Sequence, residues 1–124
     1  MKILLDTHIF LWAISDPDKL GEKWQGELES RANLVYVSAV SVAEIMVKAS
    51  LGKLAVNFDP LDIALRSGFE MLAFQAEDAL LLKDLPFHHR DSFDRMLIAQ
   101  GLQNRLSIMT DDSKFRLYDC RLMR

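Results

Sequence analysis

The sequence predicts an α/β fold in which a parallel sheet is covered by helices on both faces. Short apolar runs alternate with helical segments along the chain, a pattern typical of doubly wound sheets with right-handed crossovers. The first run, residues 2–5, is short and bounded by polar residues, as expected for a strand buried on both faces. It stops at Asp6, which we therefore place at the carboxyl edge of the sheet, where such folds bind ligands.

Size and composition predict one cytoplasmic domain. The 124 residues, half of them apolar, are enough for a single domain spanning residues 1–124 with its own core. The single cysteine, Cys120, cannot form an internal disulfide, which favours a reducing compartment. The longest apolar run, residues 9–14, is too short for a bilayer, and Asp6 interrupts any signal peptide, so we expect no membrane segment.

The net charge of −3 disfavours a simple basic nucleic-acid binder. Acids that bind divalent cations would account for this negative balance, however, so the charge is compatible with a metal-dependent nuclease.

The later elements follow from β-branched runs, helical spacing and capping residues. The predicted later strands cover residues 34–37, 69–74, 106–109 and 120–123. The predicted helices cover residues 7–14, 18–30, 40–50, 60–67, 76–85 and 92–103, with a short one near 113–117. Trp24 is expected in the core or on a dimer surface.

Three of these helices begin at residues able to cap backbone amides. Thr7 is expected to cap the first helix, and Asp91 the helix over residues 92–103. Ser41 and Glu44 have the spacing of a capping box, so Glu44 either reaches back to a backbone amide or joins Asp6 at the sheet edge. Asp94 lies in a first helical turn, where the helix dipole favours an acid whatever the function.

Two adjacent histidines, His88 and His89, precede Asp91 in a polar loop. Neighbouring positions in a loop are poorly arranged to chelate one metal ion, so we expect a solvated or RNA-facing pair.

The acids that follow strands or begin helices form the candidate site. Asp6, Glu44, Asp94 and either Asp111 or Asp112 are all expected along one sheet edge. Clustered carboxylates repel one another, which makes the cluster costly without a cation, and hard oxygen ligands suit Mg²⁺ or Mn²⁺. One or two such ions would support hydrolysis of a phosphodiester.

Four segments of the chain together resemble the motifs of PIN-domain ribonucleases, and in particular the VapC-type toxins of bacterial toxin–antitoxin pairs. They are Leu4-Leu5-Asp6-Thr7-His8, Ser41-Val42-Ala43-Glu44-Ile45, residues 91–100 from Asp91 to Gln100, and Thr110-Asp111-Asp112-Ser113-Lys114-Phe115. The resemblance implies a three-layer fold with a five-stranded parallel sheet of order 3-2-1-4-5. It also implies a homodimer, Mg²⁺- or Mn²⁺-dependent endonucleolytic cleavage of RNA, and inhibition by a small antitoxin whose tail enters the acidic groove.

By position, the resemblance makes Asp6, Glu44, Asp94 and Asp112 the catalytic and metal-binding acids. Asp112 fits the family pattern through Thr110 and Phe115, with Asp111 as the alternative fourth acid; Ser92 stands where the subfamily has proline. Two sets of side chains are expected to assist. Thr7, Ser41 and Thr110 would orient the acids, and Arg90, Arg95 and Lys114 would contact phosphates or remain solvated surface charges.

Two rival functions remain open. A phosphoacceptor receiver domain has similar length and an acidic Mg²⁺ pocket, but it would need an aspartate ending the third strand, where this chain has Phe74 and Gln75. A PIN fold without catalysis would be a module that binds RNA or a protein, and loss of one of the four acids would indicate it.

Overall fold

The structure, a computed structural model, describes residues 1–123 and has a central five-stranded parallel sheet. The strands are β1 (Lys2–Leu5), β2 (Leu34–Ser38), β3 (Glu70–Leu72), β4 (Ser107–Met109) and β5 (Arg121–Leu122). Their order is β3-β2-β1-β4-β5 and every pairing is parallel, which confirms the predicted PIN-like α/β topology. Strands β3 and β5 are shorter than predicted.

The central strand β1 is buried because helices cover both faces of the sheet. Ile3 and Leu5 point into one apolar cluster and Leu4 into the other, and all three are fully buried. This alternation follows from the two-residue period of a strand. The polar residues that follow β1 and β4 therefore lie at one edge of a sheet with two hydrophobic cores.

Six α-helices flank the sheet within residues 1–123. They are α1 (Thr7–Ser15), α2 (Gly21–Glu29), α3 (Ala39–Ser50), α4 (Pro60–Arg66), α5 (Ala76–Leu80) and α6 (Ser92–Asn104). Two predicted helices are broken. A 3₁₀ turn over Pro17–Leu20 precedes α2 because Gly21 has a φ of 78°, and α5 gives way to a 3₁₀ turn over Leu81–Lys83.

Two predicted caps are wrong because α1 starts two residues after β1 ends and α3 starts directly after β2, so each helix is capped by an earlier residue. Asp6, not Thr7, caps α1, and its Oδ1 accepts a hydrogen bond from the Ile9 N–H at 2.8 Å. Ser38, not Ser41, caps α3 and accepts from the Val40 N–H at 2.9 Å. The Ser41–Glu44 capping box is therefore absent, and the Glu44 side chain is free for another role.

Helix α6 is fixed against the sheet by polar and apolar contacts. The Ser38 hydroxyl donates to Gln100 Oε1 at 2.5 Å, which ties the end of β2 to α6. The cap predicted at Asp91 is confirmed, since its Oδ1 accepts from the Asp94 N–H at 2.9 Å. The first turn of α6 is thus held at the carboxyl edge of the sheet.

Across residues 1–123, every helix is too short or too polar to cross a bilayer.

Candidate functional site

Asp6 lies at the carboxyl end of β1 and is held from two sides. While Oδ1 caps α1, Oδ2 accepts a hydrogen bond from the Thr110 hydroxyl at 2.5 Å. Burial raises the pKa of Asp6 to about 6, the nearby charge of Asp111 adds to the increase, and the two hydrogen bonds oppose it. Asp6 is thus a buried, oriented carboxylate whose charge is costly.

Thr110 connects Asp6 to the fourth acid. Its Oγ1 donates to Asp6 and accepts from the Asp112 N–H at 3.0 Å, so one hydroxyl positions two segments. Asp112 then uses Oδ1 to accept from the Lys114 N–H at 2.9 Å, and its Oδ2 lies 3.2 Å from His89 Nε2. Asp111 is exposed, and the geometry therefore favours Asp112 over Asp111 as the site residue.

Asp94 reaches the same place from the first turn of α6. Its Oδ2 lies 2.7 Å from His89 Nε2, the atom that also contacts Asp112. Burial, followed by the charges of Asp91 and Glu44, raises the pKa of Asp94 to about 7, although His89 opposes this increase. The carboxylate of Asp94 is therefore under strong electrostatic pressure to accept a proton or a cation.

His89 corrects the sequence prediction of a solvated or RNA-facing pair. The His89 side chain is 8% exposed and bridges two acids, while His88 is exposed and packs its ring edge-on to Tyr118. One signal in the sequence pointed to this role. His89 stands two residues before the N-cap of α6, so it is at the same sheet edge as the acid in the first turn.

Glu44 is buried on α3 with only one of its oxygens bonded. Its Oε2 accepts from Lys48 Nζ at 2.7 Å, and this hydrogen bond is the main cause of a raised Lys48 pKa. The other oxygen, Oε1, is buried and has no hydrogen-bond partner within residues 1–123. Since the Glu44 charge contributes to the raised pKa of Asp94, the two carboxylates share one electrostatic environment.

Of the three hydroxyls expected to orient acids, the structure gives that contact to Thr110. Thr7 instead donates to Ser41 Oγ at 2.9 Å, and both residues are buried. In the described residues this pair joins α1 to α3 and contacts no acid, so that part of the prediction is wrong.

Of the three residues expected to contact phosphates, two are exposed and one is buried. Arg90 and Lys114 are exposed and remain predictions. Arg95 is buried, and its guanidinium donates to the carbonyls of Leu82, Leu85 and Pro86 and to the Tyr118 hydroxyl at 2.9–3.3 Å. The prediction that Arg95 contacts phosphate or solvent is therefore wrong.

The structure brings together three groups able to hold a metal ion. His89, Asp94 and Asp112 each offer one ligand atom, and these atoms lie within 4.8 Å of one another. Asp6 and Glu44 are outside this group. Asp6 is linked to Asp112 by the two hydrogen bonds of the Thr110 hydroxyl, and the charge of Glu44 contributes to the raised pKa of Asp94. The donor set fits a hard divalent cation, because two carboxylates converge there, and Glu44, whose charge acts on Asp94, has a buried oxygen without a partner in residues 1–123.

A groove of about 730 Å³ opens beside this group. Thr110, Asp111 and Asp112 form its acidic end, and the half-buried Trp24 and the exposed Arg116 line its walls. Arg116 was not among the residues that the sequence singled out. Asp6, Glu44, His89 and Asp94 do not line this groove, so it borders the site only at Asp112.

Comparison with known proteins places the chain in a family. The PIN domain family matches residues 3–119, whereas no curated protein matches. VapBC2 from Rickettsia felis, bound to a DNA fragment from the promoter, has a similar structure: the TM-score is 0.74 at 18% identity, over 100% of this chain and 98% of the other.

Two further solved structures have the same fold. FitAcB from Neisseria gonorrhoeae has a TM-score of 0.66 and 21% identity over 98% of this chain and 96% of the other. VapBC-5 from Mycobacterium tuberculosis, of the VapBC family of toxin–antitoxin systems, has a TM-score of 0.56 and 21% identity over 95% and 90%. These identities show a shared fold, and the family match shows the family. The receiver-domain alternative is thereby excluded, and this chain belongs to the PIN domain family, a family of nucleases.

Proposed function

We propose that this protein is a metal-dependent endoribonuclease that hydrolyses RNA phosphodiester bonds with Mg²⁺ or Mn²⁺. The observation that carries the proposal is the convergence of Asp94 and Asp112 on His89 Nε2, together with Glu44, whose charge acts on Asp94 and whose Oε1 is buried without a partner in residues 1–123. A buried carboxylate oxygen is costly unless something satisfies it, and three neighbouring acids cannot satisfy one another. A divalent cation resolves both problems at once.

The residues divide the work at this site. Asp94 and Asp112 would hold one cation, and Asp6 and Glu44 would complete its shell or hold a second ion. When bound, the cation lowers the pKa of a coordinated water and offsets the charge that develops on the phosphodiester. Thr110 orients Asp6, while Lys48 holds one oxygen of Glu44 and leaves the other available.

We further propose that the enzyme is the toxin of a type II toxin–antitoxin pair. The fold similarity to proteins named as VapBC and FitAcB supports this role. On this proposal the protein is a cytoplasmic homodimer, and a small antitoxin protein inhibits it by covering the acidic groove. The exposed cations Arg90 and Lys114 would contact phosphates of the RNA.

Cleavage of RNA by the protein purified free of any antitoxin tests the proposal. Mn²⁺ or Mg²⁺ should support cleavage, chelation should stop it, and Asp94→Asn should lower kcat at least about 100-fold, because removal of a metal ligand weakens both ion binding and charge stabilisation. The Asp91 cap and the acceptor for His89 both survive in this variant, so the fold is retained.

Asp84→Asn is the matched control, since Asp84 is an exposed acid outside the site. It should cleave RNA as the wild type does. Full activity of Asp94→Asn, or cleavage that persists in chelator, would contradict the proposal and leave a PIN fold that only binds RNA or a protein.

A further inference from the structure

His89 is fixed in the site by contacts that do not involve the acids. Its backbone N–H donates to the Tyr118 hydroxyl at 3.0 Å, and that hydroxyl in turn donates to the Pro86 carbonyl at 2.7 Å. The imidazole packs edge-on to the Phe115 ring, with centroids 6.1 Å apart. The ring is thus placed from its own loop and from the 3₁₀ turn over Ser113–Leu117, before any contact with an acid is counted.

The contacts of the ring define which nitrogen carries the proton. Two carboxylate oxygens face Nε2 and the Asp91 N–H faces Nδ1 at 3.5 Å, so the tautomer with its hydrogen on Nε2 gives each ring nitrogen a complementary partner. Nε2 therefore donates, and its two acceptors are Asp94 Oδ2 at 2.7 Å and Asp112 Oδ2 at 3.2 Å.

This shared donor holds together two groups that would otherwise separate. Asp94 comes from α6 and Asp112 from the loop after β4, and both are acids in a partly buried setting with Glu44 nearby. Without a donor between them, mutual repulsion would rotate either side chain towards solvent. Asp112 is 34% exposed and Asp94 21%, so both have room to turn outward.

We propose that His89 is a positioning residue of the metal site, which holds the Asp94 and Asp112 oxygens around one point through its Nε2–H. This inference rests on the proposed function, because it assigns the two acids to one cation. It adds to the four family acids a fifth side chain, which comes from the loop before α6.

Mn²⁺ binding to the full-length protein, purified free of any antitoxin and measured by titration calorimetry, tests the inference. His89→Ala should weaken the Mn²⁺ affinity about 10-fold or more, as loss of a group that orients metal ligands does. His89→Gln should recover most of the affinity, because the glutamine amide nitrogen can donate from a similar place but does not ligate metals. His88→Ala, which alters the exposed neighbour, should bind Mn²⁺ as the wild type does.

Unchanged or tighter Mn²⁺ binding by His89→Ala would overturn the inference, since tighter binding means that the imidazole competes with the metal. Failure of His89→Gln to recover affinity would also overturn it, and would indicate a direct bond from the imidazole to the metal. If the alanine variant does not fold, His89→Met supplies a side chain of similar length without a donor, for the same comparison with glutamine.

A second measurement in chelator separates this inference from the proposed function. In a double-mutant cycle, His89→Ala and Asp94→Ala should change the urea midpoint non-additively, because each removes one end of the same hydrogen bond. Additive effects would show that the two side chains do not interact. If the wild type binds no Mn²⁺, the proposed function fails, while the cycle still decides whether His89 holds Asp94.

Discussion

Asp94 and Arg95 are neighbours in α6, yet their surroundings are opposite. The Arg95 guanidinium has four acceptors, three of them backbone carbonyls, and it lies over the Phe87 ring at 4.2 Å. The Asp94 carboxylate has one imidazole donor and two acids acting against its charge. The comparison separates two uses of a buried charge. A charge with a complete set of partners stabilises the fold, and one with an incomplete set is available to a ligand.

Arg95→Met removes the guanidinium that has a complete set of hydrogen-bond partners, and it should have the largest effect on stability. Methionine retains an apolar stem but leaves the carbonyls of Leu82, Leu85 and Pro86 without their donor. We expect a loss of about 2–4 kcal/mol in the free energy of unfolding, measured with urea.

Arg66→Met is the control, because Arg66 is exposed and pairs with Asp62 only at the surface. Its cost should stay below about 0.5 kcal/mol. Equal losses in the two variants would mean that the Arg95 contacts contribute no more than a surface ion pair.

The pH dependence of stability in the metal-free protein tests the carboxylates that lack a complete set of partners. The pKa of Asp94 is raised to about 7 and that of Asp6 to about 6, from an ordinary 3.8. The folded state therefore binds these protons more tightly than the unfolded state. Their contribution to stability is complete below pH 4 and is lost as the pH rises to 7.

In chelator, the melting temperature of the wild type minus that of Asp94→Asn should fall as the pH rises from 4 to 7. Above the folded pKa of about 7 the difference should level off, because Asp94 is then ionised in both the folded and the unfolded state. A difference that rises across this window would mean that the acid is stabilised in its charged form, as it would be in a structural ion pair. The control Asp84→Asn should show no such trend.

Lys114→Ala should produce the smallest change. Lys114 is exposed beside Asp112, and its backbone N–H, which contacts that acid, is retained in the variant. We expect a few-fold rise in KM for RNA with kcat nearly unchanged, and a salt dependence of binding reduced by about one ion. Lys83→Ala, another exposed lysine, is the control, and an equal effect there would mean that the RNA is attracted only by diffuse charge.

The sequence predicted the central strand and Asp6 well because one local pattern determines both. A short apolar run between polar residues is buried on both faces, and the residue that ends it must lie at the sheet edge. The same logic located Asp112 after β4, and Asp94 was located because Asp91 marks the start of α6 in the pattern of residues. It failed for the boundary of α3, where Ser38 and Ser41 are both good caps and the end of β2 decides between them.

Arg95 and His89 were misjudged for a different reason. The acceptors of Arg95 are backbone carbonyls in residues 82–86, and their directions depend on how the chain turns between α5 and α6. Tyr118, which anchors His89, is 29 residues away along the chain. Local spacing carries no information about contacts of this kind, and side-chain type alone suggested the surface for both residues.

The hydrogen bond from Thr110 to Asp6 joins residues 104 positions apart, so the site brings together segments from near both ends of the described chain. A cation bound there would need both ends of the chain in place, so it would bind the folded state and not the unfolded state. Its binding would therefore raise the free energy of unfolding. Heating the protein with increasing amounts of an ion would then measure occupancy directly, with no RNA present. Removal of that ion by a chelator would then lower the melting temperature of the protein as well as its activity.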